Sequence, residues 1–128
     1  RRFMIRVAEA IARKSGSHAL VTGESVGQVA SQTMMSIVVT NEPATLPVLR
    51  PCIGLDKEEI IVRARQIGTF DISTLPYEDC CVLFTPKHPN TRPNPDAVRE
   101  EESKLDVDGL VERAVLTDRW AWAKRTHS

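Results

Sequence analysis

Ala19-Leu20-Val21-Thr22-Gly23-Glu24-Ser25-Val26-Gly27-Gln28 reads as the junction of a buried strand with a helix. Ala19, Leu20 and Val21 form a short apolar run, the pattern of a strand covered on both faces, and Thr22-Gly23-Glu24 ends it. Ser25 and Gln28 stand at capping-box spacing, which predicts Ser25 as N-cap. Val26, Val29, Ala30, Thr33, Met34 and Ile37 then fall on one apolar stripe at the helical period, before a loop around Asn41 to Pro43.

The pattern extends outward on both sides. Upstream, Met4, Val7, Ala8 and Ile11 predict a helix over 3–14, with Gly16 as its stop. Downstream, Leu46, Val48 and Leu49 predict a second short strand before Pro51. Asp56 and Glu59 repeat the capping logic, Ile60, Ile61, Ala64 and Ile67 supply an apolar face expected to be buried, and Gly68 closes that helix. Helix, strand, helix, strand, helix predicts an α/β fold with a mainly parallel sheet flanked by helices. The handedness of such crossovers brings strand ends and helix starts to one edge, where ligands bind.

From Thr69 to Pro95 the regularity stops. Pro76, Pro86, Pro89, Pro93 and Pro95 interrupt the stretch, and long irregular segments in compact domains tend to carry function. Asn94 and Pro95 fit an N-cap and first helical position. A charged helix follows to about Lys104, and Val107, Leu110, Val111 and Ala114 mark a last amphipathic helix. No internal repeat is present.

Composition narrows the classes. The 128 residues are 41% hydrophobic and 27% charged, a globular mixture large enough for one small domain or part of a larger one. Lys plus Arg and Asp plus Glu both number 17, so the chain has no global basic excess toward nucleic acid. No apolar run reaches the roughly 18 residues of a membrane span, and no leader pattern appears, which makes the cytoplasm the expected compartment. Cys52, Cys80 and Cys81 make no CxxC and no secreted disulfide framework, and the histidines are scattered, so no metal site is expected.

Three segments carry candidate chemistry. The Val21–Gln28 junction would aim backbone N–H groups and a helix dipole at a phosphate or nucleotide, with Gly23 and Gly27 admitting a ligand close to the backbone. It matches neither GxGxxG nor GxxxxGK[ST], so an ordinary βα turn is the simpler account, and Glu24 would repel phosphate unless turned away. Lys57, in the first turn of its helix, could neutralise a phosphate at the same edge or stand as a solvated charge. Pro76-Tyr-Glu-Asp-Cys80-Cys81-Val82 holds vicinal thiols in an irregular loop. A thiol acts as nucleophile only as thiolate, and Glu78 and Asp79 oppose that unless a cation compensates. Cys52, beside Pro51, fits a structural role. Lys87, His88 and Arg92 form a compact basic cluster that could touch an RNA backbone, although a solvated loop is the simpler account.

Leu20-Val-Thr-Gly-Glu-Ser-Val-Gly-Gln-Val-Ala-Ser-Gln-Thr33 resembles a segment of the tRNA sulfurtransferases called ThiI. Pro47-Val-Leu-Arg-Pro51, Asp56-Lys57-Glu58, Ala64-Arg-Gln-Ile-Gly68 and Pro76-Tyr-Glu-Asp-Cys-Cys-Val-Leu-Phe-Thr-Pro-Lys87 continue the likeness in order, over about residues 1–104. The resemblance implies the C-terminal half of a PP-loop ATP pyrophosphatase domain over 1–104, a partial adenine-nucleotide alpha-hydrolase-like sheet, with 105–128 a helical tail. It further implies an ATP- and Mg2+-dependent enzyme that adenylates the C4 oxygen of uridine 8 in tRNA and installs sulfur from a persulfide, and that also serves thiamine thiazole synthesis.

Residue by residue, the resemblance makes Cys80 the sulfur-transfer residue and Lys57 a lysine implicated in activity through phosphate charge. Gly23 and Gln28 fall in the segment lining the nucleotide site. Cys81 occurs beside Cys80 in one branch of the family only. Expected partners are tRNA and a cysteine desulfurase or persulfide carrier, with a homodimer allowed and no membrane. The Ser-Gly-Gly-x-Asp-Ser phosphate loop of the family does not occur in these residues, so activity is expected of the intact parent protein and the isolated chain is expected to be inactive. Two alternatives stay open: another PP-loop tRNA thiolase, and a non-catalytic dimerisation or scaffold piece.

Overall fold

A computed structural model describes residues 1–27, 32–76 and 92–117. In chain order the elements are α1 (Arg2–Lys14), β1 (Leu20–Val21), α2 (Met34–Asn41), β2 (Val48–Leu49), α3 (Lys57–Gln66), α4 (Phe70–Ser73), α5 (Pro95–Ser103) and α6 (Val107–Thr117). β1 and β2 pair in a small parallel two-stranded sheet, the α/β arrangement expected from the sequence.

Local chemistry sets several helix ends. At the end of α1 the Ser17 N–H donates to Ala12 O and the Gly16 N–H to Arg13 O, with Gly16 at φ 71°. This Schellman closure needs a left-handed residue, which glycine supplies without a Cβ clash. Gly68 closes α3 the same way at φ 73°, with Thr69 N–H donating to Ala64 O. At the start of α3 the Asp56 carboxylate accepts from Glu59 N–H, and Glu59 reaches back to Asp56 N–H, both at 2.8 Å. Asn94 Oδ1 accepts from Asp96 and Ala97 N–H ahead of Pro95, as the N-cap pattern predicts.

The chain forms two compact units. One comprises Arg1–Leu20, Val39–Leu49 and Asn94–Ser128. Its core is Ile5, Ala12 and Leu20, flanked by Ala8, Ala44, Leu46 and Val48. Leu20 N–H donates to Pro47 O at 2.8 Å, which seats β1 beside the second strand segment. Glu9 is buried on the core side of α1 and takes hydrogen bonds from Thr45 N–H at 2.7 Å, Leu46 N–H at 3.2 Å, the Thr45 hydroxyl and Arg13. Burial by itself would raise this carboxyl's pKa, but these donors overcome it and hold it at about 2.

A second lock in this unit joins α1 to α5. Arg2 and Arg6 both donate to the Glu102 carboxylate, at 2.7 and 3.0 Å. Arg2 also reaches Val39 O at 2.8 Å and Glu42 at 2.6 Å. The two guanidinium groups hold the Glu102 carboxyl at about 2, and the same bonds raise the Arg2 pKa.

The other unit comprises Val21–Val38 and Arg50–Pro93. Two expectations are corrected there. Ser25 does not cap a helix: Gly27 stands at φ 82°, and the helix that follows begins at Met34, so Val26 and Thr33 lie outside it. The reason is tertiary, because the Ser25 hydroxyl is spent on a carbonyl distant in sequence. The apolar face of α3 is not buried among the described residues. Ile60, Ile61 and Ala64 are half-covered and Ile67 is 72% exposed.

Candidate functional site

The sequence-predicted edge is built within the second unit from two loops, residues 22–27 after β1 and residues 50–55 before α3. Ser25 joins them. It is 2% exposed, and its Oγ donates to Leu55 O at 2.6 Å. Val26 N–H donates to Ile53 O at 3.1 Å beside it. The second loop is folded on itself by Ile53 N–H to Arg50 O and Leu55 N–H to Cys52 O, both 3.1 Å. Leu55 immediately precedes the Asp56 cap, so Lys57, the first residue of α3, is tied to the loop that carries Gly23.

The electrostatics at this edge differ from the expectation. Glu24 is not a bare carboxylate: its Oε2 accepts from Arg50 Nε at 2.9 Å and from Thr22 Oγ1 at 3.1 Å. The N–H groups of Ser25, Val26 and Gly27 are not free for an anion. Ser25 N–H donates to Gln32 Oε1 at 3.2 Å and Gly27 N–H to Gln32 O at 3.1 Å, with Val26 committed to Ile53. The capping box likewise consumes the Asp56 and Glu59 N–H groups. Residues 25–27 thus present no free backbone N–H to an anion.

Two features could still meet a ligand. Gly23 is exposed, and a Cβ built on it would meet nothing within 4 Å. Its φ is not in the left-handed range, so backbone and packing among the described residues impose no glycine there. Lys57 is exposed at the N-terminus of α3, and its ammonium has no partner among the described residues. The Ser25–Leu55 bond joins the loop that carries Gly23 to the residue two positions before Lys57. Gln28, Cys80 and Cys81 lie outside the described residues, as do Lys87 and His88. Cys52 is a free thiol in the 51–54 turn, half-buried. Among the described residues no three His, Cys, Asp or Glu side chains gather where they could hold a metal ion, and no helix is long and apolar enough to cross a membrane.

Sequence reasoning assigned no part to Arg50, Gln32 or the Leu55 carbonyl. Each works through a partner that no local spacing announces; Ser25 and Leu55 are 30 residues apart.

Comparison with known proteins places these loops in a family. The family described as Thiamine biosynthesis protein (ThiI) matches residues 1–107. This chain belongs to the ThiI family. A probable tRNA sulfurtransferase of Acetivibrio thermocellus is 56% identical over 115 residues, which cover 90% of this chain and 29% of that protein. A probable tRNA sulfurtransferase of Thermus thermophilus is 54% identical over 125 residues, covering 94% of this chain and 31% of its own length. The chain thus spans about 30% of the length of the ThiI relatives it matches. Among solved structures, a 4-thiouridine synthetase in complex with RNA and bound ATP superposes with a TM-score of 0.83 at 44% identity, over 91% of this chain and 30% of that one.

Proposed function

We propose that this chain is part of an ATP-dependent tRNA sulfurtransferase that makes 4-thiouridine at uridine 8. The likeness to a 4-thiouridine synthetase bound to RNA and ATP carries the reading, at 44% identity and a TM-score of 0.83. The names of the relatives support it.

The chemistry follows from the weakness of the electrophile. A uracil carbonyl does not exchange its oxygen for sulfur unaided, so the C4 oxygen attacks the α-phosphorus of Mg2+-bound ATP and pyrophosphate leaves. The terminal sulfur of a protein persulfide, charged by a cysteine desulfurase, then attacks C4 and expels AMP. The Cys80 thiolate attacks the donor cysteine's sulfur, forming a disulfide with it and releasing 4-thiouridine. A dithiol reductant returns the disulfide to thiols.

Within this chain, Gly23 would let the nucleotide approach the β1-exit loop, Gln28 would continue that lining, and Lys57 would place its ammonium toward phosphate. Mg2+ would enter with the nucleotide and would neutralise phosphate charge. Residues 1–104 form the C-terminal half of the ATP-using domain in this reading and 105–128 its helical tail. The intact protein would work in the cytoplasm, as a monomer or homodimer, and would also deliver sulfur for the thiamine thiazole.

Incubating the intact protein with ATP, Mg2+, unmodified tRNA and a persulfide donor tests this. Pyrophosphate release coupled to the near-ultraviolet absorbance of 4-thiouridine is expected. Pyrophosphate release without thiolated tRNA would refute it.

A further inference from the structure

Glu24 sits on the same loop as Gly23, one residue away, and a carboxylate at that edge would repel a polyphosphate through a medium of low effective dielectric. We propose that Arg50 is a positioning residue for nucleotide binding: it compensates Glu24 and pins that carboxylate into the loop, so that the phosphates can approach. The proposal rests on the reading of this edge as the nucleotide's.

The pair is built as more than a rim contact. Arg50 Nε lies 2.9 Å from Glu24 Oε2, and the two side chains are only 14% and 15% exposed. Thr22 Oγ1 donates to the same oxygen at 3.1 Å, so that the carboxylate is fixed from its own loop and from the 50–55 loop. Removing Arg50 from a pair so far buried takes away the cation that faces the Glu24 carboxylate. Arg50 also begins the 50–55 loop, whose Ile53 and Leu55 carbonyls hold Val26 and Ser25. The ion pair and those hydrogen bonds therefore act on one short segment. The geometry gives the two residues opposite electrostatic effects: removing Arg50 exposes a negative charge, whereas removing Glu24 leaves a positive one. A merely structural pair would weaken binding whichever partner is lost.

The test is equilibrium titration of the intact protein and its variants with ATP and Mg2+, with the melting temperature recorded alongside. R50Q is expected to raise the Kd about tenfold, E24Q to lower it severalfold, and R50Q/E24Q to return it to within about threefold of the wild type. R50K, which keeps the charge, is expected to bind more tightly than R50Q. Should R50Q fail to fold, E24Q and R50K still decide, since tighter binding by E24Q supports the proposal and weaker binding overturns it. An unchanged Kd in R50Q, or weaker binding in both R50Q and E24Q, overturns it. A wild-type protein that binds no ATP refutes both this proposal and the nucleotide reading. One that binds ATP yet makes no 4-thiouridine refutes the sulfurtransferase reading alone, with the order of affinities still judging Arg50.

Discussion

The Ser25 hydroxyl donates to the Leu55 carbonyl at 2.6 Å, joining residues 30 apart in sequence. This one bond ties the loop bearing Gly23 to the residue preceding the cap of α3, the helix that Lys57 begins.

Ser25→Ala removes a hydroxyl whose residue is 2% exposed and leaves the half-buried Leu55 carbonyl without that partner. An unsatisfied buried acceptor costs about 1–3 kcal/mol, so urea unfolding should show a loss in that range. The intact protein should bind ATP more weakly as well. Full stability in this variant would contradict the role given to the bond.

Glu9 and Glu102 make the fold sensitive to acid. Both carboxyls are held at about 2, against an ordinary value of 4.5. A depressed carboxyl contributes stability that is fully present above its unfolded pKa and is lost as pH falls through the folded one. Stability should therefore hold above pH ~5 and fall by at most about 3 kcal/mol per carboxylate between roughly pH 4.5 and 2. Urea midpoints across that window measure it, and Glu9→Gln should flatten part of the slope. A wild-type midpoint unchanged from pH 7 to pH 3 would rule out these locks.

Gly23→Ala separates binding from folding. The space for its Cβ is open and its φ is not left-handed, so the melting temperature should stay within about 2 °C, in keeping with the small effect of an unstrained surface substitution. ATP affinity of the intact protein should fall instead. A loss of stability with affinity retained would mean that Gly23 serves the fold.

Much of this architecture is legible in sequence because its signals are local. Asp56 and Glu59, Asn94 and Pro95, and the closing glycines Gly16 and Gly68 act within one helical turn, and each performs the part its spacing announces. Ser25 shows where that logic fails. It satisfies the same capping pattern with Gln28, yet its hydroxyl goes to Leu55, because a carbonyl brought close by tertiary structure competes with the local N–H. Periodicity also marks a face without saying what covers it, hence Ile67, the residue that follows α3, at 72% exposure. The Glu24–Arg50 pair has no sequence signature, since it depends on two loops meeting. Cys80 was singled out by family resemblance; its acidic neighbours argue against thiolate formation, and it lies outside the described residues.

The most direct measurement is the 4-thiouridine content of tRNA from cells whose intact protein carries Cys80→Ser, set beside Cys52→Ser. Loss of the near-ultraviolet absorbance with Cys80→Ser, and its retention with Cys52→Ser, is the predicted result. Normal 4-thiouridine with Cys80→Ser would contradict the account.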